Sequence, residues 1–263
     1  MPSLSVLDFS LLAVAASLVG LSKTAVPGAA TIAVAVFAAV LPAKQSTGAL
    51  LILLILGDLF AVWTYHAHAD WAVLRRLVPA VIAGVLVGVV FLATADDATV
   101  RRIIGVLLLA LVAVTLVRRR AATRGPRLAD GARTGEPATG HGRGLRQRLV
   151  TGGYGILAGF TTMVANAGGP VMSMYFLAAR FSINQFLGTA AWFFFAVNLA
   201  KTPFSVSLGL ISAGSLRLDL LLAPAVVVGA LVGRRLARRI DQRLFDALVI
   251  GLTIVSATYL LLP

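Results

Sequence analysis

"VANAGGPVM", residues 164–172, lies in an apolar tract and interrupts it with an asparagine, two adjacent glycines and a proline. Glycine gives up the most backbone entropy on ordering, and proline lacks an N–H and clashes with the turn before it. One helix therefore ends here and another begins. A continuous helix would consume its backbone N–H groups internally, whereas a break leaves the first N–H groups of the next helix free to meet something else.

The surroundings of that break are hydrophobic throughout. The chain is 59% hydrophobic and 13% charged, against roughly 25% charged in a soluble domain, and its mean hydropathy is +0.94. An integral membrane protein is the reading. The first apolar run carries Asp8 and no Lys or Arg before Lys23, so it lacks the basic n-region of a cleaved signal and is expected to stay as the first span. There is no cysteine, which removes disulfides, thiolate metal sites and cysteine nucleophiles from consideration.

Apolar runs place segments at about 4–22, 28–41, 47–66, 77–95, 100–117, 149–165, 170–179, 186–205, 218–233 and 244–262. Segments 28–41 and 170–179 would reach only about 21 and 15 Å, across a hydrocarbon core of about 30 Å. Both follow a Gly/Pro interruption, "TAVPG" at 24–28 and "NAGGP" at 166–170. They are expected as half-helices or re-entrant pieces near the midplane.

The two halves repeat each other. "PAVIAGVLVG" (79–88) and "PAVVVGALVG" (224–233) share seven of ten residues, and "KQSTGA" (44–49) matches "NQFLGT" (184–189), which pairs Gln45 with Gln185, Gly48 with Gly188 and, at the same offset, Asp58 with Asn198. The short segments occupy corresponding places in the two halves, the sequence pointer to a binding site made of broken helices. Nine arginines fall in 118–148, a Gly/Pro/Thr-rich tract without aromatics. That tract is expected to be a cytoplasmic linker between membrane halves 1–117 and 149–263, and nucleic acid is not expected as a partner. With both termini outside, inner loops hold 18 Lys/Arg and outer loops four. The expected fold is an all-α polytopic membrane protein of two inverted repeats, about five segments each, with both termini periplasmic.

The stretches "GLSKTAVPG", "LPAKQSTGALL", "GDLFAVWTYHAHADW", "GFTTMVANAGGPVMSMYFL" and "GTAAWFFFAVNLAKTPF", in that order, resemble the sulfite exporter TauE/SafE family, also called the toluene sulfonate uptake permease superfamily. The resemblance spans both halves and fails only in the linker. It implies a carrier in the bacterial inner membrane that moves a small anion such as sulfite, an organosulfonate or a related organic acid. The first motif departs from the glycine-rich form of many members, with lysine and threonine in "SKTAVPG".

An ionisable group inside a membrane is costly and by default functional. Lys23 with Thr24 and Gly28 at the first break, and Asn166 with Gly168 and Gly169 at the second, form the expected substrate cradle, since backbone N–H groups at a helix start favour an anion. Lys23 is read as an anion ligand, a snorkelling residue or a partner of Asp58. Asp58 is the coupling candidate, read as a proton carrier, a partner of Lys23 or Lys201, or a packing residue. Asn198 and Lys201 share a helix face three residues apart and are read as cavity-lining or as membrane-edge residues. Gln45, Thr47, Gln185 and Thr189 flank the repeated glycines, as ligand contacts or helix caps. His66, His68 and His141 lack the companions a metal needs, so neither metal nor cofactor is expected. Trp63, Trp71 and Trp192 are read as interface or packing aromatics.

Three function classes share these features. The first is a secondary carrier, with protons as a coupling ion to test. An anion channel would use the same cradle with a continuous pore. A membrane enzyme would need clustered carboxylates or histidines, and this chain has a single glutamate, Glu136, in the linker.

Overall fold

A computed structural model of the protein describes residues 4–26, 29–100, 102–103, 106, 110, 141–179, 181–239, 241, 244 and 247, with side chains from 151 onward in the second half. Among these residues there is no strand. The helices are α1 (Val6–Thr24), α2 (Ala29–Val40), α3 (Ala43–Tyr65), α4 (Trp71–Thr94), α5 (His141–Ala165), α6 (Gly168–Ala178), α7 (Ile183–Ser207) and α8 (Ala213–Ala237), with a 3₁₀ turn at His66–His68. Helices α1, α3, α4, α7 and α8 are long and apolar enough to cross a membrane. Segments 100–117 and 244–262 lie almost wholly outside the described residues.

Sequence sets the helix starts. Ser5 and Asp8 form a capping box on α1, and Ser212 and Ser215 form one on α8. Asp70 accepts from the Val73 N–H at the start of α4, and Ser182 from the Gln185 N–H at the start of α7. Each cap satisfies N–H groups that the helix cannot. Helix α5 begins at His141, inside the tract read as linker. The helix formers Leu145, Arg146 and Gln147 carry it back from the apolar run despite Gly142 and Gly144.

The expected short segments are present. Helix α2 has 12 residues and α6 has 11, about 18 and 16 Å of helix. Between α5 and α6, Asn166 takes φ 51°, a left-handed turn that asparagine tolerates better than most side chains.

Glycines hold the bundle together. On α1 and α8, a Cβ at Gly20 would strike the Val226 carbonyl oxygen, one at Gly229 the Ser17 carbonyl oxygen, and one at Gly233 the Thr24 hydroxyl. On α4 and α5, a Cβ at Gly84 would strike the Ile156 carbonyl oxygen and one at Gly159 that of Val81. In both pairs residue numbers rise together along the contact, so α1 runs parallel to α8 and α4 parallel to α5. Small residues let membrane helices approach to backbone contact, where dispersion rather than the hydrophobic effect holds them. Large apolar side chains face outward, Leu220 being 75% exposed and Val90 64%, as they do towards lipid.

Asp219 of α8 is buried and neither carboxyl oxygen meets a hydrogen-bond partner among the described residues. Its helix neighbours Leu218 and Leu222 belong to the apolar cluster with α1 and α3. Replacing an orphan buried polar group by an apolar one of similar size recovers its desolvation cost, about 1–3 kcal/mol. Asp219→Leu is therefore expected to raise the thermal unfolding midpoint of detergent-solubilised protein. A lowered midpoint would show that the carboxyl has a partner.

Candidate functional site

The two breaks flank one small cavity of about 40 Å³. Ser22 and Lys23 from the end of α1, Thr31 from α2, Thr162 and Asn166 from the end of α5, Gly169 from α6, and Phe194 and Asn198 from α7 are on its wall. That volume holds a few waters.

Lys23 sits at the end of α1, where the helix C-terminus favours a cation. Its Nζ lies 2.7 Å from Asp58 Oδ1 and 4.3 Å from the centroid of the Phe194 ring. An ammonium carries three N–H donors, and the contact with Asp58 Oδ1 uses one of them, which leaves Lys23 donors for a ligand. Asp58 is fully buried on α3, and its Oδ2 accepts from Asn198 Nδ2 at 2.6 Å. This bond turns the Asn198 amide so that its Oδ1 is left without a partner.

Lys201 is one turn further along α7 and 1% exposed. Its Nζ donates to the Thr162 carbonyl (2.6 Å), the Thr162 hydroxyl (3.3 Å) and Asn166 Oδ1 (2.5 Å). Three donors meet three acceptors, so this lysine is satisfied by protein alone. Asn166 Nδ2 donates in turn to the Thr47 carbonyl at 2.9 Å. The chain from α7 through Asn166 to α3 fixes the break in place.

The expected site residues therefore separate by position. Lys23, Asn166, Gly169 and Asn198 share the cavity, with Asp58 directly behind Lys23. Thr47 and Lys201 support the break from outside it. Gly168 packs against Thr162 and Phe194, whereas a Cβ at Gly169 would meet nothing within 4 Å, so a side chain there would take cavity space. Thr24 turns its hydroxyl to the carbonyls of Gly20 (3.1 Å) and Ala230 (2.9 Å) on the α8 side. Gln185 Nε2 reaches Asp70 Oδ2 at 3.3 Å, and the Thr189 hydroxyl accepts from the Asp70 N–H at 2.9 Å. Both serve the α3–α4 connection rather than the cavity. Gln45 is exposed, and Gly28 lies outside the described residues. Lys201 is not at a membrane edge, because burial and three protein acceptors hold it inside.

Sequence reasoning missed Thr162, Phe194, Ser22 and Thr31. Thr162 had a signal, since it stands four residues before Asn166 on the same helix face. Phe194, within "WFFF", had none. His66 and His68 are exposed in the turn after α3, and among the described residues no group of three His, Cys, Asp or Glu comes together.

Several helices long and apolar enough to cross a membrane, with a lysine beside a helix break on the wall of a cavity among them, define a multi-pass membrane protein. A family model described as sulfite exporter TauE/SafE matches residues 12–260. The chain belongs to that family. No curated protein and no solved structure matches it.

Proposed function

We propose that the protein is a secondary transporter that exports a small sulfur oxyanion such as sulfite, or an organosulfonate, across the bacterial inner membrane. The observation that carries this reading is the charge of the cavity cluster. Lys23 on the cavity wall pairs with Asp58, and Lys201 behind the wall bonds to Thr162 and Asn166 with no carboxylate within ion-pair distance among the described residues, so the group of three has a formal charge of +1. One monoanion neutralises it. The start of α6 has no side-chain cap, and Gly169 in its first turn lines the cavity. Helix N-terminal N–H groups with the positive end of the dipole then add to Lys23 as anion ligands.

In this reading the anion competes with Asp58 for Lys23. Asp58, released from the ion pair, is the group placed to carry a proton with the anion, which is the coupling to be tested. The chain alternates access as two inverted halves, with both termini periplasmic and 118–148 cytoplasmic. Several contacts support that symmetry. Asp58 and Asn198, equivalent in the repeat, bond to each other, as residues beside a two-fold axis would. A Cβ at Gly48 would strike the backbone after α7 at Leu210, and one at its equivalent Gly188 the backbone at the end of α3 and just beyond, at Tyr65 and His68. The α1–α8 and α4–α5 pairs match in the same way. Reporter fusions at residues 130 and 263 are expected on opposite sides of the membrane; the same side for both would remove the inverted layout.

The substrate test is a competition panel in proteoliposomes, with sulfite, sulfate, sulfoacetate, taurine and small carboxylates, with and without a pH gradient. Sulfite or a sulfonate is expected to compete best. Flux with a fixed proton stoichiometry marks a carrier, and uncoupled conductance would make the protein a channel. Preference for carboxylates would overturn the sulfur-anion reading.

A further inference from the structure

A second, larger cleft of about 520 Å³ opens where α3 and α8 end and α7 begins, and His68, Arg234, Arg238, Tyr65, Ser182 and Asn184 are on its wall. It lies at the end of the bundle where α4 and α5 start, the cytoplasmic face in the transport reading above. Arg234, in the last turn of α8, and Arg238, its C-cap, are four residues apart, a like-charge spacing that costs stability on a helix. Neither has a carboxylate within ion-pair distance among the described residues; the pair Lys23–Asp58 is the one recorded there. Arg234 lies over the Trp63 ring, 4.6 Å from its centroid, which places that indole beside the arginine at the edge of the cleft.

One hydrogen bond ties the wall of the cleft to the residue next to Lys23. The Tyr65 hydroxyl donates to the Thr24 carbonyl at 2.7 Å, and Thr24 follows Lys23, which lines the cavity. Tyr65 is thus in contact with the cleft on one side and with the end of α1 on the other.

We propose that this cleft is an antechamber, a second oxyanion-binding site formed by Arg234, Arg238 and His68, from which the anion passes Tyr65 to reach Lys23. Two guanidinium groups present forked N–H donors that suit a sulfite or sulfonate group. A concave surface of one charge sign raises the local anion concentration and the rate of entry. The antechamber rests on the transport reading above for its role, and its binding is measurable without transport.

The first measurement is Trp63 fluorescence of the purified protein in phosphatidylcholine nanodiscs, titrated with sulfite at low salt. A saturable change is expected in the wild type, retained in Lys23→Met/Asp58→Asn, absent in Trp63→Phe, and lost in Arg234→Gln/Arg238→Gln. Arg234→Lys/Arg238→Lys, which keeps the charge, is expected to retain part of it and controls for folding. No Trp63-dependent change with sulfite or any sulfonate overturns the antechamber while leaving the inner cavity to be judged by flux. A change produced by phosphatidylglycerol nanodiscs alone, and not displaced by sulfite, also overturns it, because the arginines then hold a lipid headgroup.

The second measurement is uptake into inside-out vesicles, where this face is outermost. Arg234→Gln/Arg238→Gln is expected to raise KM about tenfold at low salt with kcat kept within about twofold, and the difference is expected to shrink in 0.5 M salt as screening removes long-range attraction. An unchanged KM at low salt would show that the anion does not enter through the cleft.

Discussion

Lys23→Met is expected to remove most of the folded protein from the membrane, and combining it with Asp58→Asn to restore the protein without restoring transport. The single change leaves the Asp58 carboxylate fully buried with Asn198 as its remaining hydrogen-bond partner. Breaking a buried pair on one side costs roughly 3–5 kcal/mol, a large part of the 5–15 kcal/mol that holds a typical fold together. Adding Asp58→Asn removes the stranded charge, and the new amide oxygen still accepts from Asn198. Folding recovers. Transport does not, because the anion has lost its charged donor at the cavity, a bond worth about 1.5–3 kcal/mol and so a ten- to hundredfold loss of affinity. Size-exclusion profiles give the yield, and sulfite flux at subsaturating concentration gives the function. Wild-type flux in the double variant would place the anion elsewhere, and normal yield in the single variant would show that the pair is not held in a dry interior.

Much of this arrangement was legible in the chain because backbone chemistry announces itself. Gly168, Gly169 and Pro170 mark a break whatever surrounds them, and repeated "GVLVG" and "GALVG" mark backbone contacts that a side chain would block. The ionisable residues were legible as exceptions in an apolar sequence, since burying Lys23, Asp58 or Lys201 demands a reason. Their partners were less so. Asn198 and Lys201 share a face by spacing, yet one turns to Asp58 and the other to Thr162 and Asn166, because α7 packs on α3 and the longer lysine side chain reaches past it to the end of α5. Gln185 stands three residues before Gly188 as Gln45 does before Gly48, and Thr189 follows its glycine where Thr47 precedes its own, but the loop that Gln185 and Thr189 meet contains Asp70, and a nearby acceptor decides what an amide does. Pairings of this kind depend on helix rotation. Periodicity in one helix fixes its faces and leaves its neighbour's face open.

That dependence changes what is expected of Asn166. As a lone amide at the cavity it would cost little to remove, a neutral donor's worth. In the fold it is the bond between α7 and α3, accepting from Lys201 and donating to the Thr47 carbonyl, and it holds a positive φ. Asn166→Ala loses both bonds, one of them to a charged group, and puts a Cβ-bearing residue without local side-chain bonds in a left-handed turn. Together these amount to roughly 3–5 kcal/mol, so the variant is expected to fold poorly and to transport little. Asn166→Gly accepts the positive φ without strain but loses the same bonds, and is expected to fall between alanine and the wild type in yield. Asn166→Asp separates the structural role from the ligand role. It keeps an acceptor for Lys201 and adds opposite charge beside it, which offsets the loss of the Nδ2 donor to the Thr47 carbonyl, so this variant is expected to fold better than Asn166→Ala, while the cluster's formal charge falls from +1 to zero. Anion flux per folded molecule is then expected to fall at least tenfold while yield stays above that of Asn166→Ala, and a higher substrate concentration should recover part of the flux. If Asn166→Asp transports the anion with unchanged affinity, the charge at this cavity does not select the substrate, and the arginines of the outer cleft become the groups that do.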